Sequence, residues 1–331
     1  MRKYSESDYY YSAARIAAKS AKLLGYKEMS ELCDSKDLSS ALDRIREAGI
    51  SVVSEGDRPD IDLTLTAFAA ESYAELSSFL PDPEAVKIFT ARYDCHNLKT
   101  AVKCRYMGID PSPYYIECGS VAVSELSAAA ESHCYDVFPD TLKKAAENAD
   151  KALYENGSIR ALEASLDAAC FEYMSYVCEG LKYRKVKALL GLKVDLTNIL
   201  TAYRLRALKN SDTAKALLSE NLLSGGTVPL ACFSCDGLPS VDTQKVSEYL
   251  PVGAMKRIED SAKDGPGHLS VVCDRVFIDE VKNVCGMEQL GILPVARYII
   301  SLEYEIKNLR IVLSGISAGT SPEKIREELR Y

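Results

Sequence analysis

The sequence lacks long apolar runs, an apolar leader and an excess of positive charge. No run approaches the roughly 20 apolar residues that a membrane-spanning helix requires. Met1-Arg2-Lys3 lead into a polar, tyrosine-rich run, where a signal peptide would have an apolar core. The 48 acidic and 40 basic residues give a formal net charge of −8, whereas nucleic-acid binding draws its affinity from the neutralisation of phosphates. We therefore expect a cytoplasmic protein with no membrane span that is not a general nucleic-acid binder.

Motifs of common catalytic and cofactor sites are missing as well. The patterns G-x-x-x-x-G-K-[ST], G-x-S-x-G and H-E-x-x-H do not occur. His96, His133 and His268 lie in three different regions of the chain. His96 is two residues from Asp94, and residues two apart do not share a helix face, which favours an exposed or core histidine over a functional one. We expect no cofactor, no metal and no active site of the protein's own.

The eleven cysteines are an odd number and are scattered through segments that look helical. This usage is typical of free thiols in a reducing compartment rather than of a disulfide framework. Cys232-x-x-Cys235 has the spacing of metal ligands, but no second Cys/His pair accompanies it at a zinc-ribbon interval. Two incidental thiols are the favoured interpretation, and a redox or zinc role is the alternative.

What the sequence does contain is one stretch that occurs three times. The copies align on three asparagines; an acid lies three residues before each, and Leu or Ile follows directly. Spacings of three and four place side chains on one helix face, so each copy predicts an amphipathic helix that carries an acid and an amide side by side. The aligned pairs are Asp94 with Asn97, Asp195 with Asn198, and Glu305 with Asn308.

The intervals between these asparagines are 101 and 110 residues, too long for a solenoid unit and suited to three duplicated helical domains. Chance similarity among helices rich in Ala, Leu, Lys and Arg is the alternative. The first two copies share more with each other than with the third. Two aligned positions are basic in the first two copies but not in the third. The first holds Lys103, Arg204 and Ser314. The second holds Arg105, Arg206 and Ile316.

Helical periodicity runs through the chain and strand alternation is nearly absent, which predicts an all-α fold. Glycine and proline signals predict helix ends at Gly108 and at Asn156-Gly157. Residues 263–268 are predicted to form a loop, and residues 269–284 are ambiguous between helix and strand. Outside the repeated stretches, helices are predicted over 9–24, 38–48, 61–79, 124–131, 140–155, 159–181, 214–223, 242–250 and 253–262, with a last one opening at Ser321.

The repeat predicts three domains, at residues 1–110, 111–212 and 213–331. Three similar helical units can close around a pseudo-threefold axis, and the centre then forms a funnel-like depression that suits a protruding shaft. The recurring acid and amide have two interpretations, a polar ligand or proton-relay site and a structural tie to neighbouring backbone. The structural interpretation is favoured, because an active site seldom occurs in triplicate on one chain.

The motifs FTARYDCHNLKTAVKCRYMG at residues 89–108 and GMEQLGILPVARYIISLEYEIKNLRIVLSG at residues 286–315 carry a specific resemblance. With an N-terminal YxYxxARI pattern and a final IREEL, the chain resembles the C-subunit family of bacterial and archaeal rotary V/A-type ATPases, related to the d subunit of eukaryotic V-ATPases. The resemblance covers essentially the whole chain. It implies a non-catalytic central-stalk subunit that sits on the membrane rotor ring, receives stalk subunits D and F, and serves proton- or sodium-coupled ATP synthesis or hydrolysis.

Broad assembly interfaces have apolar centres and charged rims, so exposed basic residues are candidate partner contacts. Solvated helix faces paired with nearby acids are the alternative interpretation. An all-α scaffold or adaptor of an unrelated family is the alternative function. The candidate contacts are Lys103, Arg105, Arg184, Lys185, Lys187, Arg204 and Arg206.

Overall fold

A computed structural model describes residues 4–56, 58–208, 210–234 and 238–331. Helices dominate it, and the all-α prediction is confirmed. The α-helices are α1 Tyr10–Ser20, α2 Tyr26–Cys33, α3 Leu38–Glu47, α4 Ile61–Phe79, α5 Glu84–Met107, α6 Val123–Ser132, α7 Asp140–Asn156, α8 Ile159–Leu181, α9 Arg184–Leu205, α10 Ser211–Asn221, α11 Thr243–Val246, α12 Ala254–Ser261, α13 Pro266–Cys285, α14 Ile292–Ser317 and α15 Pro322–Glu327.

Extended structure in the described residues consists of two small antiparallel pairs. Short 3-10 turns occupy Glu6–Tyr9, Ser112–Tyr114, Leu230–Cys232 and Ala262–Asp264. The strands are β1 Ser54–Glu55 with β2 Arg58–Pro59, and β3 Phe233–Ser234 with β4 Ser240–Val241.

Local signals explain many helix ends. Asp60 caps α4 by accepting from the backbone N–H of Leu63 at 2.8 Å, which satisfies one of the free donors of the first turn. Gly108 follows α5 with φ of 66°, and Gly157 follows α7 with the same φ. Glycine takes this left-handed conformation without a steric penalty, so both predicted helix stops are confirmed.

Two sequence predictions about local structure are wrong, one helix had no prediction, and one open case is decided. Residues 26–33 form α2, where no helix was predicted. The helix predicted over 242–250 is confined to Thr243–Val246. The loop predicted over 263–268 already contains the start of α13 at Pro266, because proline's fixed φ suits the first turn of a helix. The ambiguous, valine-rich residues 269–284 are helical, since burial in the tertiary structure outweighs their strand preference.

Two compact units make up the chain, and the boundaries between them fall just before α5 and within α13. Unit 1 is Glu84–Cys273; in it α5 packs against α6 and α8, while α8 also packs against α7 and α9. Its core includes Leu98, Leu126 and Leu166, which are almost fully buried. The repeated helices α5 and α9 are buried on several faces and their sequences show little amphipathic contrast, so the amphipathic character predicted for them is wrong.

Unit 2 combines Arg2–Pro83 with Asp274–Tyr331. The third repeated helix, α14, packs against α1, α2, α3, α4 and α15. Met29, Leu65 and Leu302 lie in its core with essentially no exposure. The predicted repeat boundaries and the predicted pseudo-threefold, funnel-like arrangement stay predictions.

Candidate functional site

The three repeated asparagines are buried, and each makes the same pair of hydrogen bonds to a segment that follows its helix. The side-chain amide donates to the backbone carbonyl of one residue, and the side-chain oxygen accepts from the N–H of that same residue. We call each such pair an asparagine clasp. The clasps join Asn97 to Ile116 (2.8 and 2.8 Å), Asn198 to Leu223 (2.9 and 2.8 Å), and Asn308 to Arg330 (2.8 and 2.9 Å).

An asparagine suits this task because its side chain offers one carbonyl oxygen and one NH₂ group, the complement of a peptide unit's donor and acceptor. Buried backbone groups outside regular structure need such partners, since leaving them unpaired costs about 1–3 kcal/mol each. Asn97, Asn198 and Asn308 are each at most 1% exposed. The clasps therefore satisfy irregular backbone and fix the segment after each repeated helix.

The acid three residues before Asn97 holds the same segment at a second point. Asp94 accepts from the Ser120 hydroxyl at 2.6 Å and from the Val121 N–H at 3.0 Å. Burial nevertheless raises the pKa of Asp94, and these hydrogen bonds act against that rise.

Asp195 repeats this arrangement on α9. One carboxylate oxygen accepts from the Thr227 hydroxyl at 2.6 Å and from the Thr227 N–H at 2.9 Å, and the other accepts from the Val228 N–H at 3.0 Å. Thr227 comes four residues after the clasped Leu223, as Ser120 does after Ile116. The first two repeats therefore bind their loops with matching atoms at matching positions.

A short sequence signal marks these loops and was missed by sequence reasoning. Each has glycine, then serine or threonine, then valine, at residues 119–121 and 226–228. The glycine is required by the closeness of the acid: a Cβ built on Gly119 would lie 2.2 Å from Asp94 Oδ1, and one on Gly226 would lie 2.0 Å from Asp195 Oδ1. A search for G-[ST]-V after each repeated helix would have found both loops.

The third acid is held differently. Glu305 accepts from the Leu24 N–H at 2.9 Å through Oε1, and Oε2 is buried without a partner among the residues that the structure describes. Burial raises the pKa of Glu305 to about 7, with only the Leu24 N–H acting against the rise. The donor comes from the segment between α1 and α2, which lies 281 residues earlier in the chain.

The basic residues of the first repeat are engaged within unit 1. Lys103 forms an ion pair with Glu163 at 2.7 Å. Arg105 binds the buried carboxylate of Asp150, which also accepts from the Tyr135 hydroxyl at 2.7 Å. Only 17% of the Arg105 side chain is exposed, so a partner would reach little of it.

The other candidate contacts lie nearer the surface. Arg184, Lys185 and Arg204 are exposed. Arg206 is exposed too and donates to the Pro239 carbonyl at 2.8 Å, while Lys187 pairs with Glu179. A role for any of the candidate contacts in partner binding stays a prediction.

The remaining sequence candidates are dispersed. His96 Nε2 lies 3.1 Å from the Tyr114 carbonyl, and burial lowers its pKa. Cys232 is a buried free thiol, and Cys235 lies outside the described residues, so a joint role is not tested. The described ranges contain no group of three or more His, Cys, Asp and Glu side chains placed to hold a metal ion. Within the same ranges, no helix combines the length and apolar character needed to cross a bilayer.

Comparison with known proteins agrees with the resemblance that the motifs indicate. The model of the ATP synthase (C/AC39) subunit family matches residues 12–328. The C subunit of the A-type ATP synthase of Thermococcus onnurineus is 25% identical over 344 residues, covering 96% of this chain and 89% of that protein. Its counterpart from the A-type ATP synthase of Methanocaldococcus jannaschii is 23% identical, covering 97% and 86%. The C subunit of the V-type sodium ATPase of Enterococcus hirae is 22% identical, covering 84% of each.

The matched range includes all three repeated helices and two of the three clasp partners, Ile116 and Leu223. It excludes the alternative of an all-α adaptor from an unrelated family. The chain belongs to the ATP synthase (C/AC39) subunit family.

Proposed function

We propose that this chain is a non-catalytic central-stalk subunit of a rotary V/A-type ATPase that joins the stalk shaft to the membrane rotor ring. The observation that carries the proposal is the family match over residues 12–328, together with relatives named as the C subunits of A-type ATP synthases and of a V-type sodium ATPase. Its partners would be stalk subunits D and F and the rotor ring, and it would lie at the cytoplasmic face of the membrane through that complex.

The clasps support a mechanical role. A part that transmits torque has to resist deformation, and a helix tied only at its ends would let the adjoining loop move. On α5 and α9 the loop is bound at two points one helical turn apart, by the asparagine and by the acid. The carboxylates of Asp94 and Asp195 accept hydrogen bonds from N–H and hydroxyl groups of the chain itself. We interpret these bonds as stiffening the loops.

The threefold recurrence supports the predicted geometry. One clasp design serves three helices, as expected if three domains descend from one module. In the proposal these domains surround a common axis, and the central depression receives the shaft. This arrangement gives each domain an equivalent face for contact with the shaft.

Reconstitution with purified components tests the proposal. The tagged full chain is mixed with the purified D–F stalk pair and, separately, with the detergent-solubilised rotor ring, and complexes are separated by size. We expect stable complexes with both. Failure to bind either component would overturn the proposed function.

Charge reversal at the exposed candidate contacts refines the test. Arg184→Glu and Arg204→Glu should weaken at least one of the two complexes. Lys151→Glu on α7 is the matched control, because its side chain is 75% exposed and lies outside the candidate set. If all three variants form both complexes equally well, the basic residues are not part of the interface, and the proposed central-stalk role is unaffected.

A further inference from the structure

The acid of the third repeat lacks a donor that the other two acids have. The Leu24 N–H binds Glu305 Oε1 as the N–H of Val121 binds Asp94 Oδ1 and that of Val228 binds Asp195 Oδ1. Leu23 directly precedes this donor in the chain, as Ser120 and Thr227 directly precede Val121 and Val228. Leucine carries no hydroxyl, and the second oxygen of Glu305 has no donor among the described residues.

A cavity of about 110 Å³ lies beside this carboxylate. Its walls include Glu305 itself and the aliphatic side chains of Leu23, Leu24, Val281 and Ile300. Glu305 is 5% exposed, and its Oε2 has no partner in the described part of the chain. A buried carboxylate oxygen without a donor is costly, so the cavity offers a strong acceptor within a largely apolar space.

Size and charge limit what can bind there. The cavity is well below the 300–1,000 Å³ typical of sites for drug-sized ligands and cofactors, and it has room for several waters or a ligand of a few heavy atoms. Lys282 and Arg330 also line it, and Arg330 Nε lies 3.3 Å from Asp274 Oδ2. Two cations at the walls disfavour a cationic ligand and favour a neutral hydrogen-bond donor on a short apolar stem.

We propose that the Glu305 cavity is a binding site for a small aliphatic hydroxyl group, which supplies the donor that Ser120 and Thr227 provide at the other two acids. The hydroxyl comes either from a free small alcohol or from a serine or threonine side chain that another polypeptide inserts; both present the same chemistry. This site is separate from the central-stalk role and stands or falls independently of it.

Binding at this site is coupled to protonation of Glu305. A hydroxyl donates more strongly to an ionised carboxylate than to a neutral carboxyl, so the bound ligand stabilises the ionised form. The other titratable groups at the cavity are Lys282 on α13, Tyr304 on α14, and Arg330 and Tyr331 after α15. Since burial raises the pKa of Glu305 to about 7, affinity for the hydroxyl rises as pH increases from 5.5 to 8.5.

Nuclear magnetic resonance on the full chain, labelled with ¹³C at glutamate carboxyls, tests the site, and Glu305→Gln identifies the signal. The probes are 2-propanol and acetone, which have the same number of heavy atoms but differ in the presence of a donor. We expect 2-propanol to shift the Glu305 signal with a Kd of about 1–100 mM, since so few atoms limit affinity. We expect binding at least about fivefold tighter at pH 8.5 than at 5.5, and no saturable shift with acetone. Equal responses to the two probes, or none to either, would overturn the proposal.

The substitution Leu23→Thr places the missing hydroxyl on the chain and provides a second test. We expect this variant to lower the pKa of Glu305 and to weaken 2-propanol binding at least tenfold. Unchanged 2-propanol binding by a folded Leu23→Thr variant would contradict the proposed position of the ligand. The wild-type titration decides the proposal even if this variant does not fold.

Two short peptides distinguish a hydroxyl on a polypeptide side chain from one on a free alcohol. Acetyl-Gly-Thr-Val-amide reproduces the loops at residues 119–121 and 226–228, and acetyl-Gly-Ala-Val-amide is its control without a hydroxyl. Binding of the threonine peptide more tightly than 2-propanol supports an inserted side chain. Binding of 2-propanol alone supports a free alcohol.

Discussion

Both units use asparagine clasps to satisfy irregular backbone, but in the part of the chain that the structure describes, only in unit 1 does the neighbouring acid also receive a hydroxyl donor. On α5 and α9 an asparagine and an acid both bind a segment that comes later in the same unit, and each acid receives a hydroxyl and an N–H. On α14 the asparagine clasp is intact, but the acid binds the distant Leu24, and one of its oxygens is unpaired within the described residues. The asparagine clasp is therefore the same in all three repeats, whereas the partners of the acid differ. The amide satisfies both the N–H and the carbonyl of one residue.

The largest effect is expected from removing an amide, which tests whether the clasps are equivalent. Asn198→Ala leaves the buried N–H and carbonyl of Leu223 without partners, and we expect a loss of about 2–5 kcal/mol in the free energy of unfolding. Urea unfolding followed by circular dichroism measures it. Asn221→Ala is the control, because Asn221 makes a single bond to a carbonyl within α10 and should cost under about 1.5 kcal/mol. A loss below about 1 kcal/mol for Asn198→Ala would show that water replaces the amide.

The next largest effect separates Glu305 from the acids that have complete partners. A carboxyl whose pKa is raised from 4.5 to about 7 on folding stabilises the fold below pH 4.5 and loses that contribution as pH rises to 7. The difference amounts to about 3 kcal/mol, at about 1.4 kcal/mol per pH unit. Glu305→Gln should remove this pH dependence in urea unfolding measured between pH 4.5 and 8, whereas the exposed Glu323→Gln on α15 should retain it. Parallel pH profiles for wild type and Glu305→Gln would contradict the raised pKa.

A smaller effect tests the close approach of loop and acid in unit 1. In Gly226→Ala the added Cβ would lie 2.0 Å from Asp195 Oδ1, so the loop has to shift, and we expect a loss of about 1–3 kcal/mol. Thermal unfolding of the purified chain measures it. Gly267→Ala on α13 is the matched control, since no atom beyond its chain neighbours and the backbone of its own helix lies within 4 Å of the new Cβ, and alanine favours a helix. Similar stability of the two variants would mean that the loop moves away from Asp195 at little cost in free energy.

The smallest effect concerns the basic positions that the first two repeats share and the third lacks. Lys103→Ala removes a partly exposed ion pair with Glu163, and we expect the unfolding free energy to change by less than about 1 kcal/mol. If Lys103 contacts a partner, the same variant should weaken the reconstituted complex far more than it weakens the fold. Chemical unfolding and complex formation on the same preparation compare the two effects. A large loss of stability would assign Lys103 a structural role instead.

Local sequence signals predicted the helices well where capping and glycine chemistry decide. The bounds of α4 and α8 agree with the predicted ranges 61–79 and 159–181, and both glycine stops were found. The start of α13 was misplaced because Pro266 was taken as a loop signal, although proline also suits the first turn of a helix. The acid and amide were recognised as a pair because i,i+3 spacing is a property of the helix alone.

The sequence by itself determined the all-α class, the threefold repeat and the family, because these depend on helix periodicity and on motif order along the chain. Only the tertiary structure decided what each repeated side chain binds. The partner of Asn198 lies 25 residues away, whereas that of Glu305 lies 281 residues away. No local spacing encodes such a partner, because it depends on which backbone donors remain unpaired when distant segments pack together.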